Sequence, residues 1–116
     1  MYLKHELGIL GEQIATNYLK SQNYEILNRN FSCKQGEIDI IAKDNKEYVF
    51  VEVKTRTNSD YGEPVDSVNK IKKKHLKRTI EYYIYINKLE GEAIRMDIIE
   101  IYIADKNYVY HIKNVF

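Results

Sequence analysis

With 116 residues, 44% of them hydrophobic and 30% charged, the chain is long enough for one core and too apolar to be a disordered tail. A formal net charge of +1 argues against a protein that coats nucleic acid over its whole surface, and the single cysteine, Cys33, excludes an intramolecular disulfide, as suits a reducing cytoplasm. No apolar run approaches a membrane span and the N-terminus shows no signal-peptide core, so one cytoplasmic domain over 1–116, away from membranes, is expected.

The first element in chain order is a helix over 2–20, where Leu3, Leu7, Leu10, Ile14 and Tyr18 recur at helical spacing and form the stripe expected to face the core. Glu12 falls on its flank, in a row with Gly8, Ala15 and Leu19, where small residues would let another backbone come close. A helical glutamate most often points to solvent, so Glu12 by itself carries no assignment. After Ser21-Gln22-Asn23, residues 24–31 read as a first strand.

Gly36-Glu37-Ile38-Asp39-Ile40-Ile41 and Val49-Phe50-Val51-Glu52-Val53-Lys54 follow as two more strands, joined by Lys43-Asp44-Asn45-Lys46, which suits a tight hairpin. With Asp44 and Asn45 at the tip, Lys43 pairs with Lys46, Ala42 with Glu47, Ile41 with Tyr48, Asp39 with Phe50 and Glu37 with Glu52. Alternation then gives one apolar face of Ile38, Ile40, Ala42, Val49, Val51 and Val53. The other face carries Glu37, Asp39, Glu52 and Lys54, with Ile41, Tyr48 and Phe50 nearer the tip. Glu37 faces Glu52 and Asp39 lies diagonal to it, a clash of like charges that destabilises a sheet unless something offsets it. A divalent cation would do so, and an all-oxygen set without His or Cys favours Mg²⁺ or Mn²⁺ over zinc. Lys54 is placed to set its ammonium against a phosphate or a metal-bound water. Spacing alone is equally served by a solvated sheet face with cross-strand Glu–Lys pairs.

Residues 55–64 read as a polar loop ending at Gly62 and the only proline, Pro64, well placed to touch a substrate. Residues 65–87 then carry a helical apolar stripe of Val68, Ile71, Leu76, Ile80 and Tyr83. Lys70, Lys73, Lys74, Lys77 and Arg78 fall on the opposite side with no acid among them, the footprint expected for contact with a phosphate backbone. Charge runs also occur as plain solvated faces. Lys72 falls instead among the apolar residues, near Val68, Leu76 and Thr79, where it either snorkels outward or reaches the carboxylates and assists there. Beyond a turn at 88–92, residues 94–104 and 108–115 read as strands around Asp105-Lys106-Asn107. Arg95 and Asp97 share a face and are expected to pair with each other. Cys33 is read as incidental, and most of the 11 tyrosines as packing residues with a wet hydroxyl.

An acid on one strand and Glu-x-Lys on the next, here Asp39 with Glu52-Val53-Lys54, resembles the PD-(D/E)xK nuclease signature, with Ile38 where many relatives have proline. The fuller phrases from Gly36 through Ala42 and from Val49 through Thr55-Arg56, with Gly11-Glu12 upstream, resemble the YraN-like family of small bacterial predicted endonucleases, distantly similar to archaeal Holliday-junction resolvases. The resemblance runs over nearly the whole chain, through Arg95-Met96-Asp97 to His111-Ile112-Lys113-Asn114-Val115-Phe116. It implies an α/β domain of the α+β type, a restriction-endonuclease-like core with a mixed β-sheet flanked by the N-terminal and basic helices. It also implies metal-dependent endonuclease cleavage of DNA, including branched DNA. Asp39 and Glu52 would hold Mg²⁺ or Mn²⁺, with Glu12 a direct or water-mediated ligand, Glu37 a supporting acid and Lys72 an accessory. Lys54 would orient the attacking water or stabilise the transition state. DNA would be held through Lys70, Lys73, Lys74, Lys77 and Arg78. A non-catalytic nucleic-acid-binding module and a protein-interaction domain keeping the same core are the alternatives, and a homodimer is compatible with each.

Overall fold

A computed structural model describes residues 3–57 and 70–115. The expected helix start at Tyr2, the loop residues 58–64 and the helical residues 65–69, Val68 among them, lie outside the described residues, as do the side chain of Lys70 and the terminal Phe116. The described chain runs α1 (Lys4–Ser21), β1 (Glu25–Cys33), β2 (Gly36–Asp44), β3 (Glu47–Thr57), α2 (Lys70–Ile86), β4 (Ala93–Ile103) and β5 (Asn107–Ile112). The five strands form one sheet in the order β1-β2-β3-β4-β5. Only β3 and β4 run parallel, and α2 lies between them in the chain, as a crossover connection requires. Among the described residues no helix is long and apolar enough to cross a membrane.

The two helices cover opposite faces. Ala15 and Leu19 of α1 pack with Ile40, Ala42, Val49, Val51, Ile99 and Ile101, while Leu76, Ile80 and Tyr83 of α2 pack with Ile38, Ile41, Phe50, Met96 and Ile98. Strands buried on both faces read as near-continuous apolar runs, which is why β3 and β4 carry Val49-Phe50-Val51 and Ile98-Ile99. The α+β fold, with a mixed sheet flanked by two helices, is the one the sequence predicts and fits a restriction-endonuclease-like core.

Four local expectations are corrected. The buried row of α1 is Gly11, Ala15, Thr16 and Leu19, whereas Leu3 is 69% exposed and Leu7, Leu10, Ile14 and Tyr18 only flank the contact. Small residues bring the helix axis closest to the sheet, and the larger apolar side chains then close the sides. The tightest point is Gly11, where a Cβ would stand 1.7 Å from Thr55 Oγ1 and 2.8 Å from Thr55 Cβ; nothing crowds Gly8. Ile71, assigned to the apolar stripe of the second helix, is 71% exposed, because it falls around the helix from Leu76, Thr79, Ile80 and Tyr83, through which α2 meets the sheet. Residues 55–57, read as loop, extend β3 and pair with Ile101, Tyr102 and Ile103.

The fourth correction is the hairpin register. Asp44 pairs with Glu47, Ala42 with Val49 and Ile40 with Val51, so the tip is Asn45-Lys46 and each pairing lies two residues from the expected one. Asn45 takes φ 56° there, a left-handed conformation that asparagine tolerates. Arg95 of β4 fixes this register from a distance, reaching Asp44 Oδ2 at 3.2 Å and Glu47 Oε1 at 3.1 Å across the base of the turn. A shift of two residues preserves alternation, so the segregation of apolar from acidic positions survives with one exception: Ile38 packs toward α2, although Ile40 packs toward α1. Alternation therefore breaks at Asp39.

Candidate active site

That break is where the site forms. β2 and β3 pair between their turn and the couple Ile40–Val51, and no further ladder pairs join them beyond it, although both strands continue. On the other side of β2, Arg29 pairs with Ile40 and Phe31 with Ile38, while Asn30 between them takes φ 53°. Asp39 thus lies at an irregular point of its own strand, just where its neighbour parts from it. The backbone N–H of Val53, lacking a carbonyl partner from β2, donates to Asp39 Oδ2 at 2.8 Å. A side chain has taken over a ladder position, which holds the carboxyl rigidly at the mouth of the fissure.

Glu52 is the second acid and is only 8% exposed. It is hydrogen-bonded to Asp39. Burial first, then the hydrogen bond and charge of Glu52, push the Asp39 carboxyl up to about 8, against the pull of the Val53 N–H. Two carboxylates sharing a site cannot both ionise cheaply, so near neutral pH the pair keeps a shared proton. The two acids were expected to lie diagonally, with Glu37 directly opposite Glu52; the two-residue register change brings Asp39 to Glu52 instead, and Glu37 sits exposed at the rim.

Two lysines complete the cluster. Lys72 Nζ lies 3.3 Å from Glu52 Oε2, so its inward position on α2 brings it to the carboxylates. Lys54, two residues beyond Glu52 on β3, contacts Lys72. That contact, reinforced by burial, lowers the Lys54 ammonium below its ordinary range despite the nearby Glu52 and Asp39. For Lys72, burial opposes the charged form but is outweighed by Lys54 and the two carboxylates, and its affinity for a proton is raised. The pair thus divides into a firmly charged lysine and one that gives up its proton more readily.

Asp39 and Glu52 open onto two clefts. One, about 580 Å³, runs under α1 and is lined also by Lys4, Leu7, Glu12 and Lys54. The other, about 280 Å³, runs under α2 and is lined by Glu37, Lys72, His75 and Thr79. Gly36 closes that second cleft in a φ of 149°, its Cα side turned to Thr79, whose Oγ1 a Cβ would approach to 3.0 Å. Glu12 borders the first cleft but leans to Arg29, with Oε1 3.9 Å from the guanidinium, and burial raises its carboxyl above the usual range against the pull of Arg29. Glu12 Oε1 is also buried without a hydrogen-bond partner. Among the described residues, no three of His, Cys, Asp and Glu stand close enough together to form a ligand set. The structure therefore joins Asp39, Glu52, Lys54 and Lys72, leaves Glu12 and Glu37 at the margins, and sets Lys73, Lys74, Lys77 and Arg78 on the exposed side of α2.

Two features escaped sequence reasoning. Arg29, beside Glu12, belongs to a strand whose spacing gives no hint of the site. Glu100, fully buried and paired in register with Lys54, holds Arg56 in an ion pair and keeps Oε2 without a hydrogen-bond partner. A charged residue inside the apolar run Ile98-Ile99-Glu100-Ile101 was the available signal for it.

An acid pair at the parting of two central strands, in a mixed sheet clasped by two helices, is an arrangement consistent with a restriction-endonuclease-like domain. The chain belongs to the uncharacterised protein family UPF0102, the YraN-like family, whose profile matches residues 11–101. It is 47% identical over 116 residues to a UPF0102 protein of Caldicellulosiruptor saccharolyticus, covering 97% of this chain and 98% of that one. A UPF0102 protein of Clostridioides difficile is 46% identical over 111 residues, covering 96% of each chain, and one of Clostridium acetobutylicum is 46% identical over 112 residues, covering 96% and 91%.

Proposed function

We propose that the protein is a cytoplasmic Mg²⁺- or Mn²⁺-dependent endonuclease that hydrolyses phosphodiester bonds in DNA, branched DNA included. The observation that carries this reading is the hydrogen-bonded pair of half-buried Asp39 and buried Glu52, with Lys54 and Lys72 beside them. Such a pair suits a hard divalent cation, which would take the place of the shared proton, and the donors are all oxygen. Glu12 Oε1, buried without a hydrogen-bond partner and in only a long 3.9 Å ion pair with Arg29, borders the same cleft and fits a third, water-mediated contact. When bound, the cation would lower the pKa of a water and neutralise charge building on the phosphate.

The chain's own groups supply the rest. Val53 N–H fixes the Asp39 carboxyl, and Lys72 fixes Glu52, so both acids are oriented before substrate arrives. Lys54, with its weakened hold on its proton, is suited to orient the attacking water and pass a proton. Lys73, Lys74, Lys77 and Arg78 lead away from this point along α2 and would carry the phosphate backbone.

A second reading, a non-catalytic nucleic-acid-binding module, is favoured by one observation: Glu12 is engaged with Arg29 and leaves a two-acid centre. Cleavage of branched, flapped and linear DNA in Mg²⁺ or Mn²⁺ separates them. The endonuclease reading expects wild-type cleavage that Glu52→Gln and Lys54→Ala each abolish. Wild-type protein that binds these substrates and cuts none supports the module, and cleavage persisting in Glu52→Gln rules out the mechanism.

A further inference from the structure

The solvent side of α2 holds more than cations. Ile71, Tyr82, Tyr85 and Ile86 are 71%, 39%, 74% and 46% exposed, an unusual display of large apolar groups on one helix. At about 100° per residue, Ile71, Lys74, Arg78, Tyr82 and Tyr85 fall within an arc of roughly 80°. Along this single stripe two cations, Lys74 and Arg78, are followed by two aromatic rings, Tyr82 and Tyr85. Glu81 is the only acid among the described residues of the helix, Lys70–Ile86, so little there offsets the positive charge.

We infer that this stripe is a stacking platform for an unpaired DNA strand, with Lys74 and Arg78 on the phosphates and Tyr82 and Tyr85 under the bases. A helix face meant for a second copy of this chain would bring two uncompensated rows of cations together, which like-charge repulsion opposes. A purely electrostatic contact with duplex backbone gives no use for two exposed rings, whereas unpaired bases offer π-faces of any sequence. Tyr82 is already braced, its ring 6.5 Å from that of Phe31 on β1. Tyr85 stands clear.

The placement also gives the strand a length. Lys72, at the carboxylate pair, and Tyr85 are separated by about 20 Å along the helix at ~1.5 Å per residue. The cationic end of the stripe thus lies level with the acid cluster along α2, although around the helix from it, and the stripe is long enough for several nucleotides. This deepens the endonuclease reading and rests on it for where the cut falls: the favoured substrate has an unpaired strand next to the scissile bond. Binding to the stripe does not depend on cleavage.

The test is carried out in EDTA, so that binding alone is read, with fluorescein-labelled oligo(dT) and a blunt duplex of equal phosphate number. Tyr85→Ala should weaken oligo(dT) binding about fivefold or more and duplex binding less than twofold, and Tyr85→Phe should restore the loss. The sequence has no tryptophan, so Tyr85→Trp provides a single reporter whose emission should be quenched by oligo(dT). Because Tyr82 also packs on Phe31, Tyr85 carries the decision and Tyr82→Ala is compared only after its melting temperature is measured. Equal losses on both ligands, or none, overturn the platform. So does a protein that sediments as a dimer and becomes monomeric on Tyr85→Ala, which would assign the stripe to self-association. If Tyr85→Ala behaves as expected while wild-type protein cuts no DNA, the platform stands and the endonuclease reading falls.

Discussion

Two carboxylates in this sheet are removed from bulk water, and their surroundings drive them in opposite directions. Asp97 is completely buried, yet each oxygen is spoken for: Oδ1 accepts from Arg95 Nε at 2.9 Å and Asn114 N–H at 3.0 Å, and Oδ2 accepts from Arg95 NH2 at 3.0 Å and lies 2.7 Å from His111 Nε2. Burial opposes its charge, but His111, Arg95 and the Asn114 N–H prevail and hold its carboxyl below the usual range. The network extends to Tyr18, whose hydroxyl is 3.0 Å from His111 Nδ1, and to Tyr24, which accepts from Arg95 at 2.7 Å. Asp39 has one backbone N–H and a like-charged neighbour, and its carboxyl is pushed up instead. The first arrangement is finished and ties α1, β4 and β5 together. The second is unfinished, as the proposed cation site requires.

The comparison is broken most forcefully by removing each charge in turn. Asp97→Asn removes the buried charge shared by Arg95 and His111, leaving Arg95 only Tyr24 and the peripheral Asp44 and Glu47, and should cost about 3–5 kcal/mol in urea unfolding. Asp39→Asn in EDTA should leave stability unchanged or raise it at neutral pH, because the amide can still pair with Val53 N–H and Glu52 without the cost of taking up a proton. Equal destabilisation by the two would mean that both acids are structural.

Divalent cation sharpens the contrast. A ligand that binds only the folded protein stabilises it by about 2.7 kcal/mol at one hundred times its dissociation constant. Mg²⁺ or Mn²⁺ should therefore raise the melting temperature of wild type and leave Asp39→Asn where it was. Matching shifts in both would move the cation elsewhere.

The pH dependence follows with its sign. Asp39 titrates near 3.8 when unfolded and about 8 when folded, so between those values the folded protein holds a proton that the unfolded chain has lost. This group's contribution to stability is full below pH ~4 and is lost as pH rises toward ~8. Comparing wild type with Asp39→Asn isolates it from other titrating groups. A difference between the two that does not vary over that window contradicts the shared proton.

Packing and surface charge give smaller effects. Gly11→Ala should cost about 1–3 kcal/mol, since the new methyl overlaps Thr55 and α1 must lift from β3. Thr55→Ala should recover part of that loss. Replacing Lys73, Lys74 and Lys77 with Ala should reduce the slope of log K against log salt for duplex DNA by about 2 to 3. An unchanged slope removes α2 from the phosphate contact.

Much of this was readable in the sequence because it depends on local pattern. Alternation in the two hairpin strands marked which positions are acidic and which apolar, and the helical angle of Lys72 turned it inward. The register was not readable, since Arg95 fixes it from a strand some fifty residues away by bridging Asp44 and Glu47. The parting of β2 from β3 at Asp39 was hidden for the same reason. Periodicity in α1 favoured its large apolar residues, whereas the closest approach depends on the absence of a side chain at Gly11. Ile71 was grouped with the buried stripe for its apolar side chain, although its helical angle sets it with Lys74 and Arg78 on the solvent side.

On the proposed mechanism the Asp39–Glu52 pair holds a proton which a divalent cation replaces. Calorimetric titration of Mn²⁺ at pH 7, repeated in buffers of different ionisation enthalpy, measures protons released per ion bound. Wild type should release close to one and bind about tenfold more tightly for each unit of pH up to ~8, while Asp39→Asn should bind weakly and release none. Tight binding without proton release, or the same release from Asp39→Asn, would contradict the claim.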